Sequence, residues 1–314
     1  MLPRPVMNFQ RTPVTLLITA IAVAIELVCV FDPERRHVYY NDFKLGILSP
    51  MWAGELWRPF TTTLLHANPL HAFFNVYWLA TFGPAVEHRF GSYRTLGLIV
   101  LLAYVSMLPE FVISNYDEPI NGQIGALGLS GIMYGLFGMI WVGRQYAPEF
   151  YLVCDQQVVL VMMGWLVFCI FATLMNLMPV ANIAHVSGLL FGALYGMAVF
   201  DRKRRIYWIT AALIGTLVVL TTMFYCPGHP GYEYHRQRRI WLGSALPPVQ
   251  SYSATSDAGG SACLGKLSAK KSASPSVTAG ESATAVSLSA SATRPQSSEK
   301  ASVAVRPCCS NRRA

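Results

Sequence analysis

Charge is what this sequence has least of. Only 13% of its 314 residues are Asp, Glu, Lys or Arg, where a soluble domain carries about 25%. Acids are the scarcer sign, 16 against 24 bases, for a net charge of +8. A basic balance can mark a nucleic-acid binder. Here, however, the bases fall in short clusters between apolar runs, as membrane orientation signals do, so no nucleic-acid partner is expected. Metal-binding patterns are also missing. The seven cysteines (Cys29, Cys154, Cys169, Cys226, Cys263, Cys308 and Cys309) make no C-x-x-C pair and no Cys/His cluster with zinc spacing. This argues against both a metal site and a disulfide framework. There is no H-E-x-x-H, and His66 and His71 stand five apart with no third ligand in view. No cofactor is implied, and no internal repeat is visible.

What the sequence has instead is apolar runs. Hydrophobic residues make up 53% of it, gathered into seven stretches at 13–31, 70–86, 94–115, 127–143, 156–175, 183–200 and 206–225. Most approach the ~20 residues that cross a bilayer core, which predicts an all-α, polytopic bundle of transmembrane helices. The first stretch follows Arg4 and Arg11 like the apolar part of a signal peptide. No small-residue cleavage site follows it, and Phe31-Asp32-Pro33 reads as a stop into a loop, so it is expected to be retained as a span.

The connections alternate in charge. The N-terminal segment 1–12 is basic, as are the link with Glu87, His88, Arg89 and Arg94 and the run Asp201-Arg202-Lys203-Arg204-Arg205. On the other side lie a link with Asp117 and Glu118 and an uncharged link after the fifth span. The positive-inside rule then puts the N-terminus in the cytoplasm, and a seventh span at 206–225 carries the tail outside. The slightly acidic loop from Arg144 to Asp155 is the one poor fit. From 244 to 314 the chain turns to Ser, Ala, Thr and Lys, a composition that cannot bury enough apolar surface to fold and is read as disordered. Acylation of the adjacent Cys308 and Cys309 is a weak compositional reading, and the outward tail argues against it.

Three polar clusters interrupt the apolar pattern. The first is Trp57-Arg58-Pro59-Phe60, then His66, His71 and Asn75; the i, i+4 spacing puts His71 and Asn75 on one face at the start of a helix. Taken alone, such groups could simply hydrogen-bond neighbouring helices. The second is Gly128-Leu129-Ser130-Gly131 opening the fourth span, with Tyr134 one turn below. Glycines beside a membrane serine more often mean close packing than chemistry, and Gly131, Gly135 and Gly138 would give such a packing face. The third is Ala184-His185-Val186-Ser187-Gly188 with Gly192. The G-x-x-x-G step lets a second helix approach closely, and a satisfied core histidine is the plain alternative there.

Depth ties the clusters together. With inner ends marked by Glu87, Arg144 and Asp201, a rise of 1.5 Å per residue puts Ser130 about 21 Å, His185 and His71 about 24 Å and Asn75 about 18 Å above them. In a ~30 Å core all four lie roughly 6–12 Å below the outer surface. A serine beside a neutral imidazole can become a nucleophile. The Asn75 amide, the His71 ring N–H and the Ser130 backbone N–H are suited to a developing oxyanion. No acid lies at this depth in spans two, four or six, so a Ser–His dyad is expected, with Tyr134 orienting the imidazole. Glu26 is taken as the one acid well inside an apolar stretch and is assigned a structural hydrogen bond.

Over residues 50–200 these motifs resemble, in order, those of the rhomboid family of intramembrane serine proteases. Trp57-Arg58 is similar to its tryptophan–arginine pair, and His66, His71 and Asn75 to its histidine–histidine–asparagine pattern. Gly128, Ser130 and Gly131 resemble its G-x-S-G motif, and His185, Gly188 and Gly192 its A-H-x-x-G-x-x-x-G motif. The resemblance implies a six-helix protease core over 13–200, a Ser130–His185 dyad and an oxyanion hole that includes His71 and Asn75. It further implies water access from the outer face, single-pass transmembrane proteins as substrates, and a multi-pass location in the bilayer. That location is the plasma membrane for a bacterial chain and a secretory-pathway membrane for a eukaryotic one. The seventh span departs from the six of minimal members. An inactive client-binding relative would lack the serine or the histidine, and both are present. A transporter would line a path through the membrane with polar groups, which here cluster on one side.

Overall fold

Ten helices account for nearly all regular structure in the computed structural model, which describes residues 11–43, 50–114 and 127–245. In chain order they are α1 (Pro13–Phe31), α2 (Pro33–Phe43), α3 (Arg58–Thr61), α4 (Pro69–Phe90), α5 (Ser92–Ser114), α6 (Ser130–Gly143), α7 (Gln156–Leu174), α8 (Asn182–Phe200), α9 (Arg205–Thr221) and α10 (Pro230–Ala245). The seven apolar stretches correspond to α1, α4, α5, α6, α7, α8 and α9, so the fold is an all-α membrane bundle. α1, α5, α7 and α8 are long and apolar enough to cross a bilayer unaided, while α6 and α9 are shorter apolar helices. Asp117 and Glu118, the tail beyond 245, and Cys263, Cys308 and Cys309 lie outside the described residues.

The helix ends follow local chemistry. Asn68 caps α4 by accepting from the His71 backbone N–H at 2.9 Å, and Pro69 occupies the first turn, where no N–H is needed. Gly91, at φ +82°, ends α4 and lets α5 start at once. α1 has no side-chain cap of its own. Glu87 of α4 supplies one, accepting from the backbone N–H groups of Val14 and Thr15 at 2.9 Å each and from the Thr15 hydroxyl at 2.7 Å. Two orphan donors at a helix start are satisfied from another helix.

α6 is the centre of the bundle. Its 14 residues span about 21 Å, well short of a ~30 Å apolar core, and nearly all are buried. Longer helices surround it and turn apolar side chains outward, among them Leu17 of α1, Leu160, Val167 and Leu174 of α7, and Leu213 and Leu217 of α9. Such a belt fits lipid, where outward apolar side chains carry no penalty. α6 and α8 form the most extensive helix pair. A methyl placed at Gly188 or Gly192 of α8 would strike the carbonyl oxygen of Gly131 or Gly135 on α6, so the two backbones touch.

α2 and α10 were not foreseen, since both are polar; at α2 Asp32-Pro33, expected as a stop into a loop, instead starts a helix, with Asp32 Oδ1 accepting from the Arg35 N–H at 3.3 Å and Pro33 in the first turn. α10 belongs to a second apolar cluster around Trp52, Phe111 and Tyr232. There the Trp52 indole N–H donates to the Thr222 carbonyl at 3.1 Å, and Arg239 donates to the carbonyl of Trp52.

Candidate active site

Ser130 is the first residue of α6 and is 6% exposed. The chain reaches it through Gly128, whose φ of +106° few residues other than glycine adopt. The Gly128 N–H donates to the Thr62 carbonyl at 3.3 Å, tying this turn to the loop ahead of α4. A side chain at Gly128 would meet His71 and Asn75: a Cβ there would lie 2.9 Å from His71 Nε2 and 3.3 Å from Asn75 Nδ2. Two nitrogen donors from the first turns of α4 thus converge on the backbone two residues before Ser130. Asn75 is 3% exposed, and its amide nitrogen has no hydrogen-bond partner among the described residues. A buried donor left unmatched is costly, which makes it suited to an acceptor that arrives with a substrate.

His71 presents a defined nitrogen. Its Nδ1 accepts from the Ala67 N–H at 3.4 Å, so the proton of the neutral ring sits on Nε2, the atom facing Gly128. The His66 ring is buried and packs edge-on against His71, with centroids 5.2 Å apart.

His185 lies in the first turn of α8, 5% exposed. Its ring stands 4.8 Å from that of Tyr134, tilted by 35°. Tyr134 is itself held by its hydroxyl, which donates to the Met162 carbonyl at 3.0 Å. Nδ1 of His185 has no hydrogen-bond partner among the described residues. The contact of Gly188 with Gly131 sets the His185 turn against the Ser130 turn, and a Cβ at Gly131 would lie 3.4 Å from the Ala184 carbonyl. The His185 turn therefore lies beside the Ser130 turn, and a serine, an imidazole and N–H donors are the groups that acyl transfer uses.

Residues 53–202 match the rhomboid domain model. Over that stretch the chain is a rhomboid-family domain. It is 31% identical over 183 residues to the "Rhomboid protease GlpG" of Enterobacter sp. (strain 638), covering 57% of this chain and 60% of that protein. With the protein of the same name from Serratia proteamaculans (strain 568) it shares 35% over 195 residues, 62% of this chain and 64% of that one. The chain thus spans less than two thirds of the length of these relatives. As a rhomboid with a bundle of apolar helices, it is an integral, multi-pass membrane protein.

Not every residue singled out from the rhomboid motifs lies in this cluster. Trp57 is half-exposed, and Arg58 is buried in an ion pair with Glu55 at 2.6 Å, in the short α3 region that packs on α5. Gly192 contributes one turn further along the α6–α8 contact.

One acid near the site was overlooked. Glu110 of α5 is 7% exposed, so Glu26 is not the only buried acid within an apolar stretch. Its carboxylate accepts from the Ala184 N–H at 2.9 Å and from the Ser114 hydroxyl at 2.6 Å, and so caps the start of α8 one residue before His185. A lone acid next to Pro109 in the third apolar run was the available signal.

Proposed function

We propose that this rhomboid is an intramembrane serine endopeptidase acting on single-pass transmembrane proteins, with Ser130 as nucleophile and His185 as general base. The observation that carries the reading is the convergence of His71 Nε2 and the unmatched Asn75 amide on Gly128, directly ahead of Ser130. The names of the relatives, both rhomboid proteases, support it. In the proposed reaction His185 takes the hydroxyl proton as Ser130 Oγ attacks the scissile carbonyl carbon. The carbonyl oxygen becomes an oxyanion, stabilised by Asn75, His71 Nε2–H and the Ser130 backbone N–H, which as the first N–H of a helix has no intrahelical acceptor. His185 then protonates the leaving amine, and water, activated by the same ring, releases the acyl group. α9 serves as a seventh span beyond the six-helix core.

The direct test is incubation of the purified protein in liposomes with a single-span substrate, mapping the cut by mass. A fluorophosphonate probe should label Ser130, and the Ser130→Ala variant should stay unlabelled. Parent protein that neither cuts nor labels would remove this reading.

Asn75 separates an oxyanion donor from a packing group. Removing one such donor typically costs about 100- to 1,000-fold in turnover; with two donors remaining, Asn75→Ala is expected to lose roughly 10- to 100-fold. The loss falls on kcat, because the donor acts on charge that develops in the transition state. Melting stays near the parent value. A variant that melts much lower while its folded fraction cuts at the normal rate would make Asn75 a packing residue.

A further inference from the structure

A buried acid and a cation outside the motif residues connect to His71. Glu26 of α1 is 6% exposed, and its Oε1 receives a 2.9 Å hydrogen bond from Nη2 of Arg36 on α2. Nη1 of the same guanidinium donates to the carbonyls of His66 at 2.7 Å and Ala67 at 3.0 Å. A planar fork of fixed donors can hold a carboxylate and two carbonyls at once, which the point charge of lysine does less well. The His66 carbonyl and the Ala67 N–H are the two ends of one peptide group. That N–H is the donor to His71 Nδ1. A cation on the carbonyl end draws electron density from the amide and makes its N–H a stronger donor. The peptide plane and the histidine tautomer are then fixed by the same contact.

We propose that Glu26 and Arg36 are positioning residues for His71, acting through the 66–67 peptide group to keep its proton on Nε2, where it faces Gly128. The proposal rests on the protease reading for its effect on turnover, but the tautomer itself does not depend on that reading. Glu26 neutralises and orients Arg36, Arg36 orients the peptide, and the peptide orients the ring. The device also joins α1 and α2 to the loop ahead of α4, so the first helices of the chain act on a side chain that the later motifs bring to Ser130.

The test has two arms, both on the full-length protein in detergent or nanodiscs. In the first, ¹⁵N NMR of the histidine rings, with His71→Ala used to assign the signal, reports the tautomer. The parent is expected to show His71 as Nε2–H. Arg36→Ala should give a mixture of tautomers, and Arg36→Lys should recover part of the parent pattern. In the second, Arg36→Ala is expected to lower kcat roughly 10-fold, the scale typical of groups that orient a functional side chain, with KM little changed. In a His71→Ala background the same substitution should cost nothing further, an interaction that a general loss of stability would not produce. Should Arg36→Ala fail to fold, Glu26→Gln keeps the side-chain shape and should shift tautomer and kcat in the same direction by less. A His71 tautomer and a turnover that ignore both Arg36 and Glu26 overturn the proposal even where the parent cuts normally. An Arg36-dependent tautomer in a protein that cuts nothing keeps the network and removes the protease reading.

Discussion

Ser130→Ala and His185→Ala are each expected to abolish detectable cleavage of a single-span substrate, with the double variant no slower than either single one. Nucleophile and base act as a unit, so once one is gone the other has nothing to do, and the penalties do not add. In serine proteases such deletions cost on the order of 10⁴- to 10⁶-fold in turnover, below the detection limit of a gel-based assay. The two variants should differ with the fluorophosphonate probe: neither labels efficiently, but only His185→Ala retains the reactive atom and so labels slowly at long times. Both side chains are buried, yet Ser130→Ala removes one oxygen at the open end of a helix and should melt close to the parent. His185→Ala also removes a ring packed on Tyr134 and should melt lower. Melting measured beside activity separates the two effects. Substantial cleavage by well-folded Ser130→Ala would end the case for Ser130 as nucleophile.

The apolar runs were legible because a bilayer imposes a length and a hydropathy that few other contexts require. The stretch 13–31 coincides with α1 residue for residue. The stretch 127–143 becomes a helix only from Ser130, because Gly128 at φ +106° and the turn at Leu129 precede regular structure. The stretch 70–86 runs on to Phe90, since Glu87 is part of the helix and turns its charge to the start of α1. α2 and α10 lack an apolar face to read: α2 had only the Asp32-Pro33 start as a local signal, and the contacts that hold the two are tertiary, the Arg36 fork in one case and the Trp52 cluster in the other.

The candidate site residues could be grouped in the sequence because polar groups at a common depth in an apolar chain require partners. Their mutual geometry was not. The His71 tautomer depends on a peptide group four residues earlier, and Arg36 reaches Glu26 only because the chain breaks at Asp32-Pro33 and α2 folds back. Glu110 was missed for a related reason. It sits near the end of its apolar run, where an acid ordinarily reaches for the interface, and its contacts with the Ala184 N–H and the Ser114 hydroxyl account for its burial.

The glycines between α6 and α8 set the second large effect. Because a Cβ at Gly188 or Gly192 would meet backbone carbonyl oxygens rather than movable side chains, Gly188→Val and Gly192→Val must push the helices apart. Overpacking usually costs about 1–3 kcal/mol where side chains can shift, and rigid backbone should bring these variants to the top of that range or above it. Melting temperature should fall by at least about 5 °C, using a few degrees per kcal/mol for a chain of this size. Activity should separate the two positions. Gly188 is one turn from His185 and directly opposite Gly131, so widening there moves the imidazole away from Ser130 and should remove most turnover even in the fraction that stays folded. Gly192 lies a turn deeper, so Gly192→Val should lose more stability relative to its loss of specific activity. Gly164 on α7 provides the control: nothing lies within 4 Å of its Cβ position, and Gly164→Val should melt and cut as the parent does. Thermal melting and specific activity of the folded fraction, measured for all three, decide the matter. Parent-like melting and cutting by Gly188→Val would mean that the α6–α8 contact does not hold His185 against Ser130.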